Sequence, residues 1–492
     1  MSTEKTPAKV PGPTGSGPDL AQSGSDDGIT VAVDGADEKK MVRTLDWRLI
    51  PTVMCLYLFS FLDRVNIGNA RLYGMEEDLG MQGNDFQLAV SILFITYLAF
   101  EVPSNLLLKY LRPSRYLAFL SAAWGIVALC TGLVQSYASL IALRLILGVL
   151  EAGLFPGLNV YLTFFYTRGE LALRVGYLFV SAALAGGVGG LLAYGIGMLD
   201  GERGWSGWRW IMVLEGIPSI ILGAVAWFAL PDDADAAPWL SSEEKNLCKE
   251  RRGREYGRTE TLEKHDVIRA LADWKVWIFC LGQFGVDTML YGYSSFLPTI
   301  IKAIGDWSSA EVQLLTIPCY AIGAILYMGV AHWSDKTHHR GIFCVAFGLV
   351  SVVGYSVLIS DVSAGAKYAG CFLIAAGLYI VVGLPLAWMP NNCPRYGKRT
   401  TANGMQLTCG NSAGIMAPFI YPTADSPRYI KGHAITLALV AMTSILYAFM
   451  TWYYYWMNGR RDEGVVPRKQ QEMSEEELEE LGDDSCRFRY TI

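Results

Sequence analysis

The sequence carries little charge and few histidines for its length. Asp, Glu, Lys and Arg make up 17% of its 492 residues, and only five histidines are present. A soluble chain of this length would divide into several hydrophobic cores with a more charged surface. The shortage of charge therefore argues against a soluble multidomain protein. The lack of a basic face argues against nucleic acid as a partner.

Motifs of metal and nucleophilic chemistry are also missing. The ten cysteines occur singly, with no CxxC spacing, and no HExxH pattern is present. Single cysteines in apolar segments are typical of buried thiols that pack as small hydrophobic groups. No nucleophile stands beside a base within the apolar segments. We therefore expect no metal, no cofactor and no catalytic residues, which disfavours a membrane-embedded enzyme.

Long apolar runs dominate the chain instead, and hydrophobic residues make up 52% of it. About twelve stretches approach the ~20 residues that a helix needs to cross a bilayer. We therefore predict an all-α polytopic membrane protein with twelve transmembrane helices in two pseudo-symmetric sets of six. The predicted spans lie near 47–70, 86–108, 115–135, 138–165, 172–198, 208–230, 274–302, 310–332, 341–360, 367–390, 400–423 and 433–457.

One long polar segment separates the two sets of spans. It contains "WLSSEEKNLCKERRGR", in which Ser241 and Glu244 have the spacing of a capping box that opens a soluble helix. Lys and Arg are more frequent in the loops on the side of the N-terminus, which predicts that both termini are cytosolic. The predicted divisions are a disordered cytosolic tail (1–44), an N-terminal six-helix bundle (45–230), a cytosolic linker (231–273), a C-terminal six-helix bundle (274–458) and an acidic cytosolic tail (459–492).

A loop after the eighth span resembles a known gating motif. "AHWSDKTHHR" (331–340) stands in the second half where "LKYLRPSR" (108–115) stands in the first. It is similar to the G-x-x-x-D-[RK]-x-x-x-[RK] signature of the major facilitator superfamily, whose two six-helix halves share this layout. Asp335, Lys336 and Arg340 are in register, whereas Ala331 replaces the glycine. We predict that these three charged residues form a gating loop.

Four charged residues interrupt the apolar spans. Asp63 and Arg64 lie in span 1, and Arg144 and Glu151 lie in span 4. A charge at the centre of a bilayer costs roughly 2.5–3.5 kcal/mol on insertion scales. Four such charges in the spans therefore indicate a structural or functional role. Arg144 and Glu151 are seven residues apart, which places them on one helix face about 10.5 Å apart along the axis.

Two interpretations of these charges are open. In the first, the four residues pair with one another and hold spans 1 and 4 together. In the second, Arg64 and Arg144 bind an anion, because guanidinium stays protonated and binds a carboxylate with two parallel hydrogen bonds. Asp63 and Glu151 then carry protons, because a bound substrate shifts the balance between burial and a nearby arginine.

Other polar residues of the spans give weaker signals. Tyr97 falls at mid-depth in span 2, where it either donates a hydrogen bond to a substrate or packs in the core. Asn411 of span 11 is a buried amide that needs a partner, and we include both residues in the predicted substrate site. Asp287 is the main acid of the second half. It either lines a water-filled cavity or takes part in coupling.

The motifs together resemble one family. "LDRVNIGNA", "YLAFEVPSNLLLK", "RLILGVLEAGLFPG", "GYSSFLPTII", "WMPNN" and "GNSAGIMAPFIYPTADSPRYIKGHAI" are similar to segments of the anion:cation symporters of the major facilitator superfamily. The branch is that of the fungal allantoate, nicotinate and pantothenate permeases. The resemblance runs from about residue 45 to the final "RFRYTI". It implies proton coupling and anion binding by Asp63, Arg64, Arg144 and Glu151.

The expected function is proton-coupled uptake of a small organic anion, a monocarboxylate, by alternating access. We expect a monomer in the lipid bilayer of the plasma membrane, with the anion and protons as its partners. Two alternatives remain at this point. A nutrient sensor could keep the same anion pocket without transport, and a uniporter or exporter of an organic acid would lack the proton-driven uptake.

Overall fold

A computed structural model describes residues 35–256, 264–337, 339–464 and 468–492, and it contains no strand within them. Most of the disordered tail predicted at the N-terminus lies outside the described residues, and the first helix already begins at Gly35. Twelve long spans, named here spans 1 to 12 in chain order, form the bundle. They are Gly35–Arg71, Asp85–Tyr110, Pro113–Thr131, Tyr137–Leu162, Arg168–Gly197, Gly207–Ala229, Trp274–Ile304, Ser309–Thr337, Gly341–Ile359, Ala364–Asn391, Tyr396–Met416 and Ile430–Asp462.

Within the described residues, ten spans are long and apolar enough to cross a membrane by length and composition. Spans 7 and 11 are long but more polar. Span 7 contributes buried side chains along almost its whole length, so it lies inside the bundle. A helix that is shielded from lipid by its neighbours can carry polar groups that a lipid-facing helix cannot.

The pattern of helix contacts shows two equivalent halves. Spans 3 and 6 pack together in the first half as spans 9 and 12 do in the second, and spans 2 and 4 correspond to spans 8 and 10. Between the halves, span 2 packs on span 11 and span 5 packs on span 8. Replacing each span by its counterpart in the other half, 2 by 8 and 11 by 5, converts one inter-half pair into the other. The bundle therefore has the pseudo-two-fold arrangement of two six-helix units.

At the end of the bundle away from the termini, the halves are in direct contact. The rings of Phe86 and Phe296 meet edge to face with centroids 6.0 Å apart. The Ser91 hydroxyl donates to the Ile415 carbonyl at 2.8 Å, and the Gln87 amide donates to the Tyr421 carbonyl at 3.2 Å. These contacts close one end of the space between the halves.

Toward the termini, a cavity separates the two halves. It contains about 1170 Å³ of space not filled by protein atoms, part of which is open to solvent. Asn159 and Thr163 of span 4 line one wall, and Asn391, Tyr396 and Arg399 line the other. The bundle is therefore closed at one end and open at the end where the described chain begins at Gly35 and where the C-terminal segment lies.

The polar segments outside the spans are also ordered in large part. Shorter helices cover Met75–Asp78, Ser242–Tyr256, Lys264–Ala272, Arg468–Gln471 and Glu475–Glu480. The predicted capping box is confirmed, since Ser241 N–H donates to Glu244 Oε2 at 2.9 Å and Glu244 N–H donates to Ser241 Oγ at 3.1 Å. The chain after span 12 folds back onto the second half, and its Thr491 carbonyl accepts hydrogen bonds from Trp388 and Asn392.

Candidate functional site

Arg64 and Glu151 form a buried ion pair between spans 1 and 4. Arg64 Nε donates to Glu151 Oε2, and the Glu151 side chain has no exposed area. The guanidinium carbon of Arg64 also lies 4.6 Å from the centroid of the Tyr97 ring. An aromatic face at this distance attracts a cation. Arg64 is thus held by a carboxylate and by a ring, and Glu151 Oε1 has no hydrogen-bond partner among the described residues.

Arg144 lies beside this pair without an ion-pair partner of its own among the described residues. It is 3% exposed, and its Nε has no hydrogen-bond partner in that part of the chain. A buried guanidinium that lacks a partner is costly, so such a group is a candidate ligand for an anion. Asp63 and Arg144 form no ion pair with each other among the described residues. Asp63 Oδ2 instead accepts a hydrogen bond from the Ser219 hydroxyl at 3.3 Å.

Small residues bring span 4 close enough to place these charges. A Cβ atom added at Gly148 would overlap the Leu93 carbonyl and the Thr96 hydroxyl of span 2. The helix that begins at Tyr137 ends at Glu151, and a second segment, Leu154–Leu162, continues the span. A break in a spanning helix is tolerated where neighbouring elements bury it. Glu151 therefore projects from the point where span 4 breaks.

A central cavity, with about 440 Å³ of space not filled by protein atoms and part of that space open to solvent, joins the charged residues of the first half to the second half. Arg64, Tyr97 and Asn411 all line it. A smaller adjoining cavity is lined by Arg64 and Arg144. Tyr291 borders both cavities and donates its hydroxyl to Asn411 Oδ1 at 2.7 Å. Of the six residues predicted for anion binding and proton coupling, four line these two cavities and Glu151 pairs with Arg64, whereas Asp63 lines neither cavity.

Aromatic rings form much of the wall of the central cavity. They belong to Tyr57, Phe61, Tyr97, Phe155, Phe179 and Tyr291. The Tyr57 and Phe155 centroids are 5.2 Å apart, and Phe155 meets Phe179 at 5.8 Å. Pockets for small ligands are commonly built from such apolar walls with a few polar groups that fix orientation. The central cavity thus combines apolar walls with a few polar groups.

Two further groups of the site were not among the predicted site residues. Gln283 and Asp287, one turn apart on span 7, line the central cavity. Glu101 lies one turn from Tyr97, is buried, and is within hydrogen-bonding reach of Asn411. The spacing of Tyr97 and Glu101 was a visible signal on the helix face. The contact with Asn411 has no counterpart in local sequence.

The predicted gating loop lies at the end of the bundle that carries the termini. Arg340 Nη2 pairs with Asp335 Oδ1 at 2.9 Å, whereas Lys336 is exposed. The backbone N–H of Arg340 donates to the C-terminal residue Ile492 at 2.5 Å. Within the described residues, no group of three His, Cys, Asp or Glu could hold a metal ion.

Comparisons with known proteins agree with this architecture. The family model of the Major Facilitator Superfamily matches residues 53–418. Two uncharacterized transporters of Schizosaccharomyces pombe are 40% and 37% identical, over 95% and 93% of this chain and 92% and 91% of their own lengths. The high-affinity nicotinic acid transporter of Saccharomyces cerevisiae is 32% identical over 91% of this chain and 84% of its own length.

Solved structures show the same fold. A bacterial homologue of the human lysosomal transporter Spinster, in an inward-facing and unoccupied conformation, superposes with a TM-score of 0.64 at 16% identity. The match covers 82% of this chain and 95% of that chain. The predicted all-α fold of two six-helix halves is confirmed.

Proposed function

The chain belongs to the Major Facilitator Superfamily and is a multi-pass membrane transporter, and we propose that it takes up a small organic anion together with protons by alternating access. The observation that carries this proposal is the guanidinium of Arg144, which has no ion-pair partner among the described residues and lies beside the Arg64–Glu151 pair. A carboxylate with two oxygens fits a guanidinium through parallel, charge-assisted hydrogen bonds. The nearby aromatic walls favour a small monocarboxylate with a flat body, and the nicotinic acid transporter among the relatives supports this class.

The proposed coupling is electrostatic. Protonation of Glu151 removes the charge that holds Arg64, which then joins Arg144 in binding the carboxylate. Asp63 lies next to these groups and is proposed as a second proton carrier. Release of anion and proton restores the Arg64–Glu151 pair. A ligand shifts an equilibrium between two states only as far as it binds one of them more tightly. Here the anion binds more tightly to the state with protonated Glu151, because the guanidinium of Arg64 is then free to bind it.

We further propose that the open end faces the cytosol. The first described residue, Gly35, and the C-terminal segment lie there, in agreement with the loops rich in Lys and Arg. The contacts of Phe86, Gln87 and Ser91 with the second half then form the closed outer end. We propose a monomer in the plasma membrane, with Asp335, Lys336 and Arg340 as the gating loop on the cytosolic side.

Uptake into proteoliposomes tests the proposal. Radiolabelled nicotinate, allantoate and pantothenate are presented to vesicles with an acidic exterior, with and without a protonophore. We expect at least one acid to accumulate, and the protonophore to abolish accumulation. Uptake that does not depend on the external pH and is not reduced by the protonophore would favour a uniporter. Saturable binding without flux would favour a sensor.

A further inference from the structure

Asp287 lies in the central cavity without a cationic partner among the described residues. It is 6% exposed, and it forms no ion pair in that part of the chain. A carboxyl group buried in a spanning bundle normally pairs with a cation, a metal or a proton. The acids of the first half lie beside arginines, whereas Asp287 forms no ion pair with Arg64, which lines the same cavity from the other half. Asp287 therefore lacks a cationic partner among the described residues, and it lies in the cavity that the proposed substrate would enter.

The carboxyl group is nevertheless held in a fixed position. Gln283 Nε2 donates to Asp287 Oδ1 at 2.9 Å, and Gln406 Nε2 donates to Gln283 Oε1 at 3.1 Å. A Cβ atom added at Gly410 would overlap Asp287 Oδ2. The backbone of span 11 thus lies directly against the carboxyl. A side chain oriented in this way by packing and hydrogen bonds is preorganised to select one ligand geometry.

Arg64 and Asp287 line the same cavity from opposite halves. Tyr57 and Tyr291 also line that cavity, and each interacts electrostatically with both Arg64 and Asp287. The cavity therefore has a cationic side, a carboxyl side and aromatic rings between them. Resting on the function proposed above, we propose that Asp287 receives a nitrogen atom of the substrate. The substrate class is then a small flat acid that carries a ring or amide nitrogen opposite its carboxylate.

A single proton between the substrate nitrogen and the Asp287 carboxyl is enough to form a hydrogen bond between them. If the substrate nitrogen bears hydrogen, it donates to the Asp287 carboxylate; if the nitrogen is bare, a protonated Asp287 donates to it. No bond to carbon changes in either case. An analogue without the nitrogen leaves the buried carboxyl without a partner, and sites of this kind reject such analogues strongly.

A matched pair of ring acids tests the inference. Nicotinate and benzoate share the ring and the carboxylate, and only nicotinate has a ring nitrogen. Their affinities for the purified full-length protein in detergent are measured by calorimetry. We expect the native protein to prefer nicotinate at least ~10-fold, as for a hydrogen bond that involves a charged group. Asp287→Ala should reduce the preference to below ~3-fold by weakening nicotinate alone.

Two further variants keep the result interpretable. Glu215→Ala removes another buried acid of the spans, one that does not line the central cavity, and it should leave the preference unchanged. Asp287→Leu keeps roughly the size of the side chain but has no hydrogen-bonding group, so it serves if the alanine variant does not fold, and it should also lower the preference.

The outcomes separate this inference from the proposed function. Equal affinities for the two acids, both lost in Arg144→Lys, would overturn the role of Asp287 and leave the carboxylate site intact. Binding of neither acid would overturn the ring-acid class and the inference with it. A changed proton stoichiometry with an unchanged preference would make Asp287 a proton carrier and would also overturn the inference.

Discussion

The two halves of the bundle differ in the charged side chains of their interiors. In the first half, Asp63, Arg64, Arg144 and Glu151 lie in the interior, and of these four only Arg64 and Glu151 form an ion pair with each other among the described residues. In the second half, the central cavity contains a single acid, Asp287, within the described part of the chain. Similar helix packing therefore surrounds different electrostatics.

The main charge cluster of the second half lies at the end that carries the termini. Asp483 of the C-terminal segment accepts from Lys275 at 2.6 Å and from Lys398 at 2.7 Å, and Lys398 also pairs with Asp273 at 2.6 Å. Each charge in this cluster has a partner. In the interior of the first half, Arg144 has no ion-pair partner among the described residues, whereas every charge in this cluster of the second half is paired.

The largest expected effect comes from removing the proton of Glu151. Glu151→Gln keeps size and hydrogen bonding but cannot titrate, so proton-driven accumulation should fall to background. Anion exchange across the membrane should continue, because exchange requires no net proton release. Both activities are measured in the same proteoliposomes, with and without internal unlabelled substrate. Loss of exchange together with accumulation, at normal protein abundance, would contradict the coupling role.

Arg144→Lys should have the next largest effect. Lysine keeps the charge but loses the planar fork, so substrate affinity should fall by about 10- to 100-fold, the value of one charge-assisted hydrogen bond. Binding is measured by calorimetry on the purified variant. Arg209→Lys is the control, since Arg209 lies outside the two cavities around Arg64. If Arg144→Lys and Glu151→Gln both reduce protein abundance equally, the four charges only hold helices together.

The contrast between the halves also shows what local sequence can predict. The spans were predictable because an apolar run of bilayer length is rare outside transmembrane helices. The four charges of the first half were predictable as a site because charge is costly in such runs. The pairing within the site was not predictable. Which arginine meets Glu151 depends on the rotation of two helices, and Arg64 holds that position although Arg144 shares the helix of Glu151.

The second half was harder to interpret for the same physical reason. Asp287 could be recognised as an isolated acid, but its place in the cavity depends on span 11, more than 100 residues away. The segment after span 12 has the composition of a solvated tail. Its buried contacts join Asp483 and Tyr490 to helices distant in the sequence, and no periodic pattern in the segment indicates them.

A smaller, structural effect should follow from breaking the cluster around Asp483. The Asp483 side chain is 2% exposed, and Asp483→Asn leaves two buried ammonium groups short of a carboxylate. Removing one partner of a buried ion pair typically costs about 3–5 kcal/mol. We expect a clearly lower melting temperature, measured by intrinsic fluorescence, with substrate affinity unchanged. Asp484→Asn is the matched control, because its side chain is 69% exposed and 3.5 Å from Lys275, and exposed pairs contribute little.

The smallest effect concerns the pH dependence of that stability difference. Burial alone would raise the pKa of Asp483, but the ammonium groups of Lys275 and Lys398 outweigh it and hold the pKa below its usual value. A carboxyl whose pKa is lower in the folded state stabilises the protein above its unfolded-state pKa, and this contribution is lost as the pH falls. The difference in melting temperature between the native protein and Asp483→Asn should therefore stay constant from pH 8 to about pH 5 and shrink below about pH 4, near the ordinary pKa of aspartate. Melting curves across this range provide the test, with Asp484→Asn measured in parallel. A difference that grows toward acidic pH would mean that the second half does not hold its charges as a fixed, fully paired cluster.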